Sequence, residues 1–242
     1  MANWGLLSKL FRQKKLFHST LGGRWFCENK PNPLEPFNLM QETLHVLGIN
    51  PFRRLMTVLT VLKYRNTYDS SFRISEFEES SVKAFCAFSS FLFEEKFDIL
   101  KQLMTSEVCK FTVSFVCGYL VVLMKAFEKL AKVMPFVPDN KRWMFDLKEY
   151  DIYFRRLYSA DVKKHPTVAG GIMLEFLMIY HAFYRRKEFQ DQFDDVTIDK
   201  ISELKHRYIL ANVRYIKELR PNFCDDWSIS YVNYCQIHPG EG

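Results

Sequence analysis

The 242-residue chain carries few of the patterns that announce an enzyme or an integral membrane protein. It has no GxSxG, P-loop, GxGxxG or HExxH sequence, so a nucleophile elbow, a phosphate cradle, a dinucleotide fold and a zinc-peptidase helix all lack support. Its six cysteines (Cys27, Cys86, Cys109, Cys117, Cys224 and Cys235) form no CxxC pair and no regular framework. That argues against a structural zinc or a disulfide scaffold, and for reduced, buried thiols. No apolar run reaches the roughly 20 residues of a membrane-spanning helix. The uncharged stretch of residues 111–124 lies between Lys110 and Lys125 and reads as a buried helix rather than a membrane-dipping one. No internal repeat or low-complexity tract is visible. Nothing asks for a cofactor.

Acids are also missing from the start. Lys9, Arg12, Lys14, Lys15 and Arg24 precede the first carboxylate, Glu28. Leu6, Leu7, Leu10, Phe11 and Phe17 recur at helical spacing among them. This is the pattern of a mitochondrial presequence over residues 1–26, removed between about Arg24 and Glu28. The alternative is a basic amphipathic helix that stays on the mature protein. The charge distribution follows from this: the whole chain is +6, but 29 basic residues against 28 acidic remain after residue 26, or +1. A near-neutral body lacks the field that nucleic acid binding needs, so no nucleic acid partner is expected.

What is present is a large apolar fraction, 48% hydrophobic and 16% aromatic, enough for a packed core. Residues 27–49 hold three prolines at positions 31, 33 and 36 and read as an extended linker. A domain over residues 50–238 follows. It opens with NPFRRLMTVLTVLKYR, where Asn50 suits an N-cap and Pro51 the first helical position. Leu55, Val58, Leu59 and Leu62 share one face of this helix, with Arg53 and Arg54 before them and Lys63 and Arg65 after. The rod is too short to span a bilayer. It can lie on a membrane or a partner, or dock against its own sheet as a core helix with a wet rim.

Ser75 and Glu78 have the spacing of a capping box, opening a helix with Phe77, Ala84, Phe85, Phe88, Phe91 and Leu92 on one stripe. A short helix over KFDILKQLMTSEV, capped by Asp98, comes next, with Thr105 beginning another. Pro135 and Pro138 end the helical half. From Met144 onward the period shortens. GGIMLEFLMIYHAFY is a strand with Leu174, Phe176, Met178 and Tyr180 on one face. Met173, Glu175, Leu177, Ile179 and His181 lie on the other. KHRYILANVRYIKEL and DWSISYVNYCQI are further strands, joined through RPNFCD as a wide hairpin connection. Helices followed by antiparallel strands define an α+β domain with a curved sheet around a helical layer.

Glu175 and His181 interrupt one strand face and invite an acid–base reading. At about 3.3 Å per residue they lie roughly 20 Å apart, too far to act as a pair. His181 can meet Asp151 or Asp226 only across strands, and structural polar roles fit all of them better. Basic pairs at Lys141-Arg142, Arg155-Arg156, Lys163-Lys164 and Arg185-Arg186-Lys187 give residues 141–187 a charge of +5, while residues 188–203 carry −5. Such patches are solvated loops or orient a protein on anionic lipid or a charged partner. Trp227, after Asp225-Asp226, fits a core anchor better than an exposed binding aromatic.

Three blocks together carry a resemblance: NPFRRLMTVLTVLKYR, FRISEFEESSVKAFCAFSSFLFEEKFDILKQLMTSEV and ANVRYIKELRPNFCDDWSISYV. They resemble the matrix AAA peptidase interacting protein family. The wider group includes the C-terminal domain of the inner-membrane import-motor scaffold and a mitoribosomal large-subunit protein near the tunnel exit. Phe72, Phe77, Ala84, Phe85, Phe97-Asp98, Leu100, Leu103, Glu107-Val108 and Asp226-Trp227-Ser228-Ile229 are its most telling residues. The similarity covers residues 50–110 and about 200–237 well and is weak over 111–170, where the chain is more apolar.

The resemblance implies an NTF2-like cone on the matrix side of the mitochondrial inner membrane and an adaptor role, while the absent motifs and the separation of Glu175 from His181 argue against an enzyme. Its implied partners are subunits of the matrix AAA protease and newly imported inner-membrane precursors, such as the small regulatory subunit of the calcium uniporter. Peripheral contact with anionic lipid would involve Arg53, Arg54, Lys63 and Arg65 at headgroup level. A ribosome-associated membrane tether, or an import-motor scaffold-like role, is the alternative; for the tether, the near-neutral body lacks the basic surface rRNA would need. An NTF2-like enzyme would need Asp151, Glu175 and His181 to converge.

Overall fold

The computed structural model describes residues 37–40, 45, 51–104, 117–164, 171–188, 204–220, 223–224 and 226–236. The expected presequence, most of the linker, Asn50, Thr105, residues 111–116 and the acidic block after Glu188 lie outside them. After a short strand at Phe37–Asn38, the described residues form four helices: α1 (Pro51–Thr67), α2 (Ile74–Phe93), α3 (Phe97–Met104) and α4 (Cys117–Val133). Short 3-10 turns at Met134–Phe136, Asp139–Phe145 and Glu149–Asp151 lead into the sheet. The strands are β1 (Phe37–Asn38), β2 (Ile152–Lys164), β3 (Ile172–Phe183), β4 (Tyr208–Arg220), β5 (Phe223–Cys224) and β6 (Ser228–Gln236).

All the strand pairs are antiparallel, in the order β1-β6-β4-β3-β2, with β5 folded back on the end of β4. The α+β reading therefore holds, with helices packed against one open antiparallel sheet. β4 and β6 pair as far as Ile216 and Ser228, so the connection between them over RPNFCD is wide, as expected, with β5 paired back on Leu219 and Arg220 within it. Register shifts within β2 and near Arg214 bend the sheet.

The alternation read for β3 matches its packing, but both faces are covered. Leu174, Phe176, Met178 and Tyr180 are fully buried in the core under the helices. Leu177, Ile179 and His181 are also buried, on the opposite face. There, two fully buried amides on the sheet hold the N-terminal segment. Asn233 Oδ1 accepts from Met40 N at 3.0 Å, and Asn212 brackets His45 by accepting from its N at 2.7 Å and donating to its carbonyl at 3.0 Å. A buried amide stripped of such partners would be costly, so these bonds fix where the segment crosses the strands.

Aromatic residues dominate the helix–sheet layer. Phe85 stacks on Tyr180 with centroids 4.5 Å apart, and Trp227 packs half-buried against Phe77 at 4.8 Å and Phe176 at 4.7 Å. Ser81 joins two tyrosines: its Oγ accepts from Tyr180 at 2.7 Å and its carbonyl from Tyr215 at 2.8 Å. Burial pushes both phenols well above their ordinary range, keeping them neutral donors.

The capping box expected at Ser75 and Glu78 does not form. Helix α2 starts at Ile74 with Arg73 as its extended cap residue, and no side chain caps it. Glu78 Oε1 instead accepts from Leu157 N in β2 at 2.9 Å. Tertiary geometry has claimed the carboxylate for the sheet. Asp98 lies inside the first turn of α3 rather than at its cap.

Candidate interaction face on the first helix

Helix α1 lies on β2, the far edge of the sheet, and uses a narrow side to do so. Its buried residues are Thr57, Val61 and Tyr64. Two of those three have polar tips that need partners. Thr57 Oγ1 donates to Arg53 O at 2.9 Å and lies 3.4 Å from Tyr158 O in β2. Tyr64 hydroxyl donates to Asp69 Oδ2 at 3.3 Å, while its ring meets Phe72 edge-on.

The wider apolar side points to solvent. Leu55, Val58, Leu59 and Leu62, the face read from the sequence, are 55%, 43%, 49% and 45% exposed. Phe52 and Met56 extend it by a turn. The helix thus docks on its own sheet, but by its narrow side, and its leucine face remains uncovered. Six large apolar side chains on one helix form a contiguous patch of the kind that marks an interaction surface. Phe52 and Met56 were within reach of the sequence, since they continue the three- and four-residue spacing backwards from Leu55 and Leu59.

The four flanking cations do not play one role. Arg53 turns to the body of the protein, where Nη1 donates to Tyr158 Oη at 2.8 Å and the guanidinium sits 4.9 Å from that ring's centroid. The His45 ring packs on Tyr158 as well, at 5.2 Å. Burial lowers the His45 pKa, and the positive fields of Arg53 and Arg214 lower it further. Arg53 is therefore a joint between α1 and β2. Lys63 and Arg65 are exposed on the helix surface. Arg54 is exposed too; burial lowers the pKa of Arg156 in β2, and the nearby Arg54 charge lowers it further. No sequence signal pointed to Tyr158 as the partner of Arg53.

The residues considered for acid–base chemistry are kept apart. Glu175 pairs with Lys163 at 2.6 Å. Asp151 accepts from the main-chain N–H groups of Lys148 at 3.0 Å and Arg186 at 2.9 Å. The His181 Nδ1 makes a short hydrogen bond with Tyr208 Oη, and burial pushes its pKa down to about 4. Cys86 and Cys235 are buried free thiols, both pushed up to about 12 by burial. Among the described residues no group of three His, Cys, Asp or Glu side chains could hold a metal ion, and no helix is long and apolar enough to cross a membrane. A shallow apolar groove of about 210 Å³ runs beside α2, between Ala84, Phe91 and Trp227. No family model, curated protein or solved structure matches this chain.

Proposed function

We propose that this protein is a mitochondrial adaptor, peripheral on the matrix side of the inner membrane. In this reading it binds the membrane-embedded matrix AAA protease and assists newly imported inner-membrane proteins, acting by binding and not by turnover. The observation that carries it is the uncovered apolar face of α1, a surface built for contact on a domain whose remaining apolar residues are largely packed inside. The acid-free first 26 residues support the compartment. Support for the family resemblance comes from its own residues, since Phe72, Phe77, Phe85 and Trp227 join one core. The bent sheet beneath α1–α4 is read, at the finer level, as an NTF2-like cone.

Affinity purification of the tagged full chain from detergent-solubilised mitochondria tests the proposal. Subunits of the protease should be enriched with it, and the recovered protein should have lost its N-terminal segment. Recovery of a chain beginning at Met1 from cytosol, with no protease enrichment, would overturn it.

A further inference from the structure

The sheet face opposite the core is built to hold an extended backbone. Phe37 and Asn38 pair with Gln236 and Cys235 at the edge of β6, and Leu39 N donates to Tyr234 O at 2.9 Å. Past that edge the holding groups are side chains. Asn212 and Asn233 are direct cross-strand partners on β4 and β6, and both are fully buried. Asn212 meets both polar groups of one residue, accepting from His45 N at 2.7 Å and donating to its carbonyl at 3.0 Å. An amide used in this way recognises main chain, whatever side chain that residue carries. Asn233 is only half used: its Oδ1 accepts from Met40 N at 3.0 Å, while its buried Nδ2 has no acceptor among the described residues. A buried donor in that state costs stability.

The side chain of His45 is also a poor match for its surroundings. Its ring packs on Tyr158 at 5.2 Å, and the Arg53 guanidinium lies over the same tyrosine at 4.9 Å. Burial lowers the His45 pKa, and Arg53 of α1 and Arg214 of β4 lower it further. Two guanidinium groups therefore bear on a side chain that offers them no negative charge. A carboxylate in its place would pair with both. We infer that this face is a docking site for an extended peptide of another protein, one that sets an acidic side chain beside Arg53 and Arg214, and that Phe37–Met40 and His45 occupy it when no partner is bound. The resident segment is an incomplete ligand, since it leaves a buried amide donor unanswered and presents an imidazole to two cations. A peptide bringing a carbonyl to Asn233 and a carboxylate to the arginines satisfies all of these groups and displaces it. Neither the membrane nor the protease of the adaptor reading is needed for this.

Fluorescence anisotropy of the full chain with labelled synthetic peptides tests this. The probes are residues 36–46, PFNLMQETLHV, and the same peptide with His45→Glu. The glutamate peptide should bind about tenfold more tightly than its parent, and Arg214→Ala in the protein should remove most of that preference. His45→Glu in the protein itself should act in the opposite sense. The resident segment then holds better, so the melting temperature rises and peptide affinity falls by about tenfold. Hydrogen exchange on the unliganded wild-type chain gives a reading that depends on no variant. The amides of Leu39, Met40 and His45 should exchange through a local opening, well before those of β4. Equal affinity for the two peptides, a preference unmoved by Arg214→Ala, or peptide binding unchanged by His45→Glu in the protein would overturn the inference. So would the absence of binding at millimolar peptide, or exchange of those three amides only on global unfolding.

Discussion

Arg53 grips Tyr158 twice, by a 2.8 Å hydrogen bond to the hydroxyl and by lying 4.9 Å over the ring. The guanidinium thereby fixes the rotation of α1 on β2, and with it the direction in which Leu55, Leu59 and Leu62 point. Arg53→Ala should cost about 1 kcal/mol of stability, since an exposed hydrogen bond and an exposed cation–π contact are each modest. Tyr158→Phe keeps the ring and should cost about half as much. Urea unfolding of both variants, with their double mutant, should show a coupling energy. Strict additivity would mean the contact carries no energy.

Glu78 should behave as a tie to the sheet edge and Ser75 as an ordinary first-turn residue. Removing the carboxylate in Glu78→Ala leaves the partly buried Leu157 N–H without its acceptor, at a cost of about 1–2 kcal/mol. Glu78→Gln retains an acceptor oxygen and should lose less. Ser75→Ala should change stability by under about 0.5 kcal/mol, whereas a genuine N-cap would lose about 1 kcal/mol. Thermal or chemical denaturation separates the cases.

Acid should destabilise the fold through His181. Its folded-state pKa, about 4, lies below the ordinary 6.5 because burial disfavours the imidazolium. Between those values the unfolded chain binds more protons, so stability is full above the ordinary value and falls as pH drops towards the folded one. From about pH 7 to pH 5 the loss should be about 2 kcal/mol. His181→Gln should flatten that segment of the stability profile, measured by urea midpoints across pH. A variant with an unchanged slope would show that the histidine is ionised in the fold.

How much of this could be read from the sequence depends on whether a signal is local. The period-two run Leu174–Tyr180 and the helical run Leu55–Leu62 were legible because backbone geometry alone sorts their side chains into faces. Which face of α1 would be buried was not, because the sheet chose Thr57, Val61 and Tyr64 through partners a hundred residues away. The expected capping box failed for the same reason: Leu157, at a separation of 79 residues, captured Glu78. The wide connection from β4 to β6 was legible because Pro221-Asn222 is a local turn signal. Arg53 was grouped with Arg54, Lys63 and Arg65 by proximity, and only the fold separates its role from theirs.

Leu59 and Val61 sit two residues apart on α1, one 49% exposed and the other 5%. Aspartate at each position, followed by a melting curve and a membrane-association assay on the same samples, tests the central claim that the leucine face is for binding and its reverse is for folding. Leu59→Asp should lose less than about 1 kcal/mol of stability yet leave the membrane fraction. Val61→Asp should lose more than about 3 kcal/mol, because it buries an unpaired charge. Unfolding of Leu59→Asp, or its unchanged retention on membranes, would contradict the account.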